Sequence, residues 1–144
     1  MKKIYLFAIL LATCLSCTSL EKSDIHFLNG YWEIEKVKQP DAKEIDFGMN
    51  TIYDYYEVDA THKGFYVKAS PQLDGTFIVD DFRDEIKVVE KSGKFFIEFH
   101  SEYDDREMTI LELTTDKLVL KNQDDKTYYY KKASPINLTA TDHE

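Results

Sequence analysis

The chain has almost no cysteine. Only Cys14 and Cys17 occur, and none follows in the remaining 127 of its 144 residues. A disulfide framework is therefore excluded for the body of the protein. Positive charge is also scarce, with 18 Lys and Arg against 27 Asp and Glu. Nucleic acid is excluded as a partner, because phosphate binding needs a basic surface. Long apolar runs are missing too. The longest, Ile4–Ala12, is far short of the about 20 residues that a spanning helix needs.

Catalytic and metal signatures are equally absent. His26, His62, His100 and His143 lie far apart, without zinc-site spacing. The acidic stretches Asp80–Glu85 and Ser101–Glu107 lack the alternating ligand order of an EF-hand loop, and each carries its own arginine, Arg83 or Arg106. Neither a Gly-x-Ser-x-Gly motif nor a Gly-rich phosphate loop occurs. The chain is therefore expected to be no enzyme and to hold no metal or cofactor. Asn137-Leu138-Thr139 matches a glycosylation sequon.

What is present begins with an address. Lys2 and Lys3 precede the apolar run, and small residues follow it, which is the layout of a secretory signal. A lone cysteine closing such a signal resembles a bacterial lipoprotein, whose cysteine becomes the first mature residue and carries the lipid. Ser16 before Cys17 suits that processing. Cys14, preceded by Leu11-Ala12-Thr13, is the rival. The expected division is a signal over 1–16, lipidated Cys17 at the head of a tether 17–23, a folded domain 24–133 and a loose tail 134–144. Removing two lysines leaves 16 cations against 27 acids, a net charge of −11 for the mature chain. Such a body is repelled by anionic lipid, so the acyl chains must do the anchoring. The expected location is the envelope of a Gram-negative bacterium, on the outer membrane.

Aromatic residues make up 14% of the chain and fall mostly after residue 24, enough for a substantial core. Ser23-Asp24 can cap one helical turn through Ile25–Leu28. After Gly30, no segment keeps a helical period over ten or more residues. Short segments rich in β-branched and aromatic residues predict strands at 31–38, 50–58, 64–70, 75–80, 85–91, 94–100, 106–114, 117–122 and 126–132. Hairpin turns fit Leu73–Gly75, Lys91–Lys94 and Gln123–Lys126. The stretch 38–50 reads as a loop, punctuated by Pro40 and Gly48. There is no internal repeat. Eight to nine short strands joined by hairpins predict an all-β, antiparallel up-and-down barrel with a short helical turn in front.

Two stretches carry a family resemblance. Gly30-Tyr31-Trp32 matches the Gly-x-Trp signature that opens the first strand of lipocalins. "REMTILELTTDKLVLKNQDDKTYYYKK", Arg106 to Lys132, resembles the last three strands of the lipocalin-like lipoproteins of Bacteroidota. The resemblance spans 27–132. The Thr-Asp-Tyr motif of core lipocalins is absent, and Thr115-Asp116-Lys117 matches it only in part. The resemblance implies a barrel end plugged by Trp32, with Lys131 or Lys132 of the last strand lying across the ring. Alternation along the strands points Phe65, Val67, Phe77, Phe95, Ile97, Phe99, Leu118, Leu120, Tyr128 and Tyr130 inward. These are the candidate lining for a small apolar or amphipathic ligand, held without catalysis in a monomer. A filled barrel that presents its loops or acidic surface to an envelope partner is the alternative.

Overall fold

The computed structural model describes residues 20–133. The signal, Cys14, Cys17, the first part of the tether, the tail and the sequon lie outside the described residues. A 3-10 helix, Lys22–Leu28, leads in. Ten strands follow: β1 (Gly30–Lys38), β2 (Glu44–Asp46), β3 (Tyr53–Val58), β4 (Lys63–Pro71), β5 (Phe77–Val79), β6 (Asp84–Lys91), β7 (Lys94–His100), β8 (Asp105–Leu113), β9 (Lys117–Lys121) and β10 (Thr127–Lys132).

Eight of them, β1-β3-β4-β6-β7-β8-β9-β10, form a closed antiparallel barrel, sealed by β10 against β1. All nine expected strands are present. The tenth, β2, lies inside the expected loop 38–50. Its three positions are all exposed and two of them are acidic, and it exists because Glu44, Ile45 and Asp46 pair with the upper part of β1. The helix also begins earlier than Ser23-Asp24 predicts. Glu21 is its cap: Asp24 NH donates to Glu21 O (3.0 Å), and Glu21 NH donates to Asp24 Oδ2 (2.9 Å).

Two walls of the barrel are interrupted. The edge of β1 that faces β3 is covered by β3 at Gly30–Trp32 and by β2 at Lys36–Lys38. The edge of β4 that faces β6 is covered by β6 at Lys63–Tyr66 and by β5 at Ala69–Pro71. Residues 47–52 link β2 to β3, and residues 80–83 link β5 to β6.

Up-and-down order gives the barrel two unlike ends. The turns 59–62, 92–93 and 114–116 and the 3-10 helix gather at one end. The connections 39–52, 72–83, 101–104 and 122–126 gather at the other. The first end is closed. Trp32 is fully buried there, and its Nε1 donates to Leu28 O at 2.7 Å. Lys132 lies over its ring, with Nζ 4.2 Å from the centroid, and donates to Phe27 O (2.9 Å) and to Asn29 O. Burial lowers the Lys132 pKa from its ordinary value. Lys131, on the opposite face of β10, pairs with Glu33 at 3.2 Å. Gly30 sits at φ +113°, and a Cβ there would stand 3.2 Å from Lys132 Cε. Glycine thus makes room for the lysine that crosses the tryptophan.

Above this plug, Ile97, Phe99, Leu118 and Leu120 pack with Val88, Phe95 and Ile110 into one core. Alternation sets the phase of β7 and β9 because the apolar set and the inner set coincide there.

Candidate functional site

Strand β4 reverses the expected phase. Paired residues on neighbouring strands share a face. Asp54 pairs with Lys68, Tyr56 with Tyr66 and Val58 with Gly64, while Trp32 pairs with Asp54. Tyr66 and Lys68 therefore point into the barrel. Phe65 and Val67 point outward, which corrects the expectation for both. Phe77 is also outside, stacked on Tyr31 with ring centroids 3.7 Å apart. Tyr55 and Phe65 extend this outer aromatic layer, and the Arg83 guanidinium covers Phe65 at 4.8 Å. Val67 is as buried as a core residue, but beneath this layer rather than in the lumen. The apolar face of β4 was the outer one because a second hydrophobic layer lies outside the wall.

The inner face of the open half is polar. Asp54 is 6% exposed, the one buried charged residue among those described. Its Oδ1 accepts from Tyr66 Oη at 2.8 Å and from Lys68 Nζ. Beside it, Arg106 Nη2 donates to Asp84 Oδ2 at 2.6 Å, and its guanidinium lies 4.3 Å over Phe99 and 5.5 Å over Tyr66. Among the described residues, no buried side-chain polar atom lacks a partner.

Together these groups line a cleft of about 380 Å³ at the mouth of the barrel. Phe99, Tyr56 and Met108 supply its apolar surface. Asp54, Tyr66, Lys68 and Arg106 supply its polar groups, and Tyr128 and Tyr130 complete the wall. Of the ten residues expected to line a ligand, the structure brings Phe99, Tyr128 and Tyr130 to this cleft. Phe95, Ile97, Leu118 and Leu120 are in the filled core below, and Phe65, Val67 and Phe77 are on the outside. Sequence reasoning missed Asp54, Tyr66, Lys68 and Arg106. The available signal was an acid in the middle of the Tyr-rich strand "YDYYEV", since Asp is depleted in strands unless something there holds it.

Electrostatics keep the phenols protonated. Burial, and then the Asp54 carboxylate, push the Tyr56, Tyr66 and Tyr130 hydroxyls well above their usual range. Burial, with Asp124 second, raises Tyr128 as well. These hydroxyls are hydrogen-bond donors at neutral pH rather than bases. Rim acids Asp104 and Asp124 overlook the cleft. The two cations inside are already engaged, Lys68 by Asp54 and Arg106 by Asp84. Uncommitted negative charge therefore prevails at the mouth. Among the described residues, no group of three or more His, Cys, Asp and Glu is placed to hold a metal ion.

No protein-family model matches the chain, and no curated protein matches it. Among solved structures, a lipocalin-like protein from Bacteroides uniformis is similar at 13% identity and TM-score 0.49, covering 74% of this chain and 99% of that one. An uncharacterized protein from Bacteroides eggerthii is similar at 15% identity and TM-score 0.48, with the same coverage.

Proposed function

We propose that this protein is a non-catalytic, lipocalin-like binder that holds one small amphipathic molecule at the mouth of its barrel. The observation that carries the reading is the cleft of about 380 Å³. Its size lies within the range of about 300–1,000 Å³ typical of small-molecule sites. It combines an aromatic floor with convergent polar groups around a buried carboxylate. A planar or apolar body would rest on Phe99, Tyr56 and Met108. A cationic or hydrogen-donating group would reach Asp54, displacing the half-exposed Lys68 ammonium. An anionic ligand is disfavoured by Asp54, Asp104 and Asp124. The cavity expected from alternation, apolar with a few tyrosine hydroxyls, gives way to this more polar site, because the inner face of β3 and β4 carries Asp54, Tyr66 and Lys68.

The test uses two planar dyes, cationic 9-aminoacridine and anionic anilinonaphthalene sulfonate. Aminoacridine is expected to bind the wild type and to lose about tenfold in affinity in Asp54→Asn, a change of about 1.4 kcal/mol. Preference for the anionic dye, or aminoacridine affinity that ignores Asp54, would overturn the reading.

The same proposal includes a lipid anchor on Cys17 and an outer-membrane address. Leu20, the first described residue, packs against the core at the closed end. An anchor three residues earlier would leave the cleft facing away from the bilayer. Cys17→Ala should release the protein from membranes. Release by Cys14→Ala alone would move the anchor to that residue, and retention in both variants would exclude it.

A further inference from the structure

Ten large apolar side chains are exposed among the described residues, and nine belong to the open half: Leu111 is the exception. They sit on three successive connections, 39–52, 72–83 and 101–104. The most exposed are Met49 at 91%, Tyr103 at 84%, Leu73 at 76% and Phe82 at 73%. They are not scattered. Phe82 and Tyr103 share a groove of about 520 Å³ with Asp81, Arg83 and Glu102. Around the wall from it, Ile52, Ile78 and Val79 line a smaller one of about 180 Å³ with Asp80, Ser70 and Lys68, the last already paired with Asp54. The chain from Val79 to Phe82 joins the two. Single exposed apolar residues are ordinary, but a joined set on one end of a domain marks a docking surface.

Charge selects the occupant. The connection 39–52 holds three acids and one lysine; 72–83 holds three acids and one arginine. Two further acids stand in 101–104, and two acids and one lysine in 122–126. The open-end connections thus carry ten carboxylates against three cations. By contrast, the closed-end turns 59–62, 92–93 and 114–116 hold two acids and no exposed large apolar residue. Anionic lipid is repelled from such a rim. The chain's own bilayer is also out of reach under the Cys17 anchor proposed above. Three residues extend at most about 10 Å, whereas the nine-residue β1 rises about 30 Å along its own axis.

We propose that the open rim docks a polypeptide: a basic amphipathic segment whose apolar side chains enter the Phe82/Tyr103 and Ile52/Ile78 grooves while its lysines or arginines face the surrounding carboxylates. Apolar contact supplies the centre of such an interface. Complementary charge supplies registration and a fast, salt-sensitive encounter.

The probe is a fluorescein-labelled amphipathic Lys/Leu peptide, with a Glu/Leu peptide of the same pattern as its counterpart. The wild type should bind the first and not the second. Ile78→Ser/Phe82→Ser/Tyr103→Ser and Asp81→Asn/Glu102→Gln should each weaken binding about tenfold or more, because a few central side chains dominate interfaces. These positions are exposed, and a thermal melt of each variant checks that it still folds. Glu90→Gln/Asp116→Asn at the closed end should leave the affinity unchanged. Equal loss in that control, or no loss in the rim variants, overturns the proposal. So does rim-dependent binding to phosphatidylcholine vesicles, with or without phosphatidylglycerol. None of the three apolar rim residues lines the cleft, so aminoacridine binding in the triple variant is expected to stay at wild-type strength. The two readings therefore fail independently.

Discussion

Replacing Lys132 by Met tests the closed end. Methionine keeps the length of the side chain and removes its ammonium. Three interactions are lost: the approach to the Trp32 ring at 4.2 Å, the bond to Phe27 O at 2.9 Å and the bond to Asn29 O. The first is worth about 0.5–2 kcal/mol. Each charged hydrogen bond contributes about 1.5–3 kcal/mol, offset by the desolvation that already lowers the Lys132 pKa. A net destabilisation of about 2–3 kcal/mol is expected, or about 10 °C in Tm for a domain of this size. Urea unfolding suits the measurement, because Trp32 is the sole tryptophan and reports on its own neighbourhood. The sharper quantity is the coupling with Trp32→Phe, followed by circular dichroism since that variant lacks the fluorophore. A coupling of about 1–2 kcal/mol is expected. A value below about 0.5 kcal/mol is additive behaviour, and would refute the idea that ring and ammonium stabilise one another.

Alkaline pH should unfold the barrel. Tyr56, Tyr66 and Tyr130 have folded-state pKa values above their unfolded value of about 10. Their contribution is complete below that pH and is lost as pH climbs towards the folded values. Lys132 acts the other way, since its depressed pKa costs stability that is relieved as pH approaches 10.5. Three phenols against one half-buried lysine leave a net fall. Urea midpoints at about pH 9 and 11 should differ in wild type and differ less in Tyr66→Phe; a flat profile would contradict the burial argument. Gly64→Ala should abolish cooperative folding, because its Cβ would stand 1.7 Å from Glu57 O, backbone against backbone. Gly48→Ala meets nothing within 4 Å and should change stability by less than about 0.5 kcal/mol.

The strands and hairpins were legible because pairing partners are close in sequence and the turns carry their own chemistry. The Lys91–Lys94 turn joins β6 to β7 as expected. Alternation also set the inner faces of β7, β9 and β10. It failed on β4, where "FYVK" presents Phe and Val on one face and Tyr and Lys on the other. The usual rule sends Phe and Val inward. Here the lumen holds Asp54, which needs Tyr66 and Lys68, and the outer wall has its own aromatic cover in Tyr31 and Phe77. A chain read one strand at a time shows neither the acid across the sheet nor the Phe77 ring that stacks on the outside. The Gly-x-Trp stretch was legible for a different reason. A glycine that admits a lysine and a tryptophan that receives it are separated by one residue, while the lysine comes from the far end of the domain.

The interrupted walls leave the barrel with something that closed barrels are meant to lack. Among the described residues, β2 pairs only with β1, and β5 only with β4. Each therefore shows a free row of backbone donors and acceptors. A longer or more apolar pair would invite a second copy to continue the sheet. Three residues are too few for a stable ladder, and Glu44 and Asp46 put like charges opposite each other in a β2-to-β2 pairing that matches all three residues. Brevity at both sites, and charge at one, let the wall open towards its mouth without turning the protein into the first unit of a fibre.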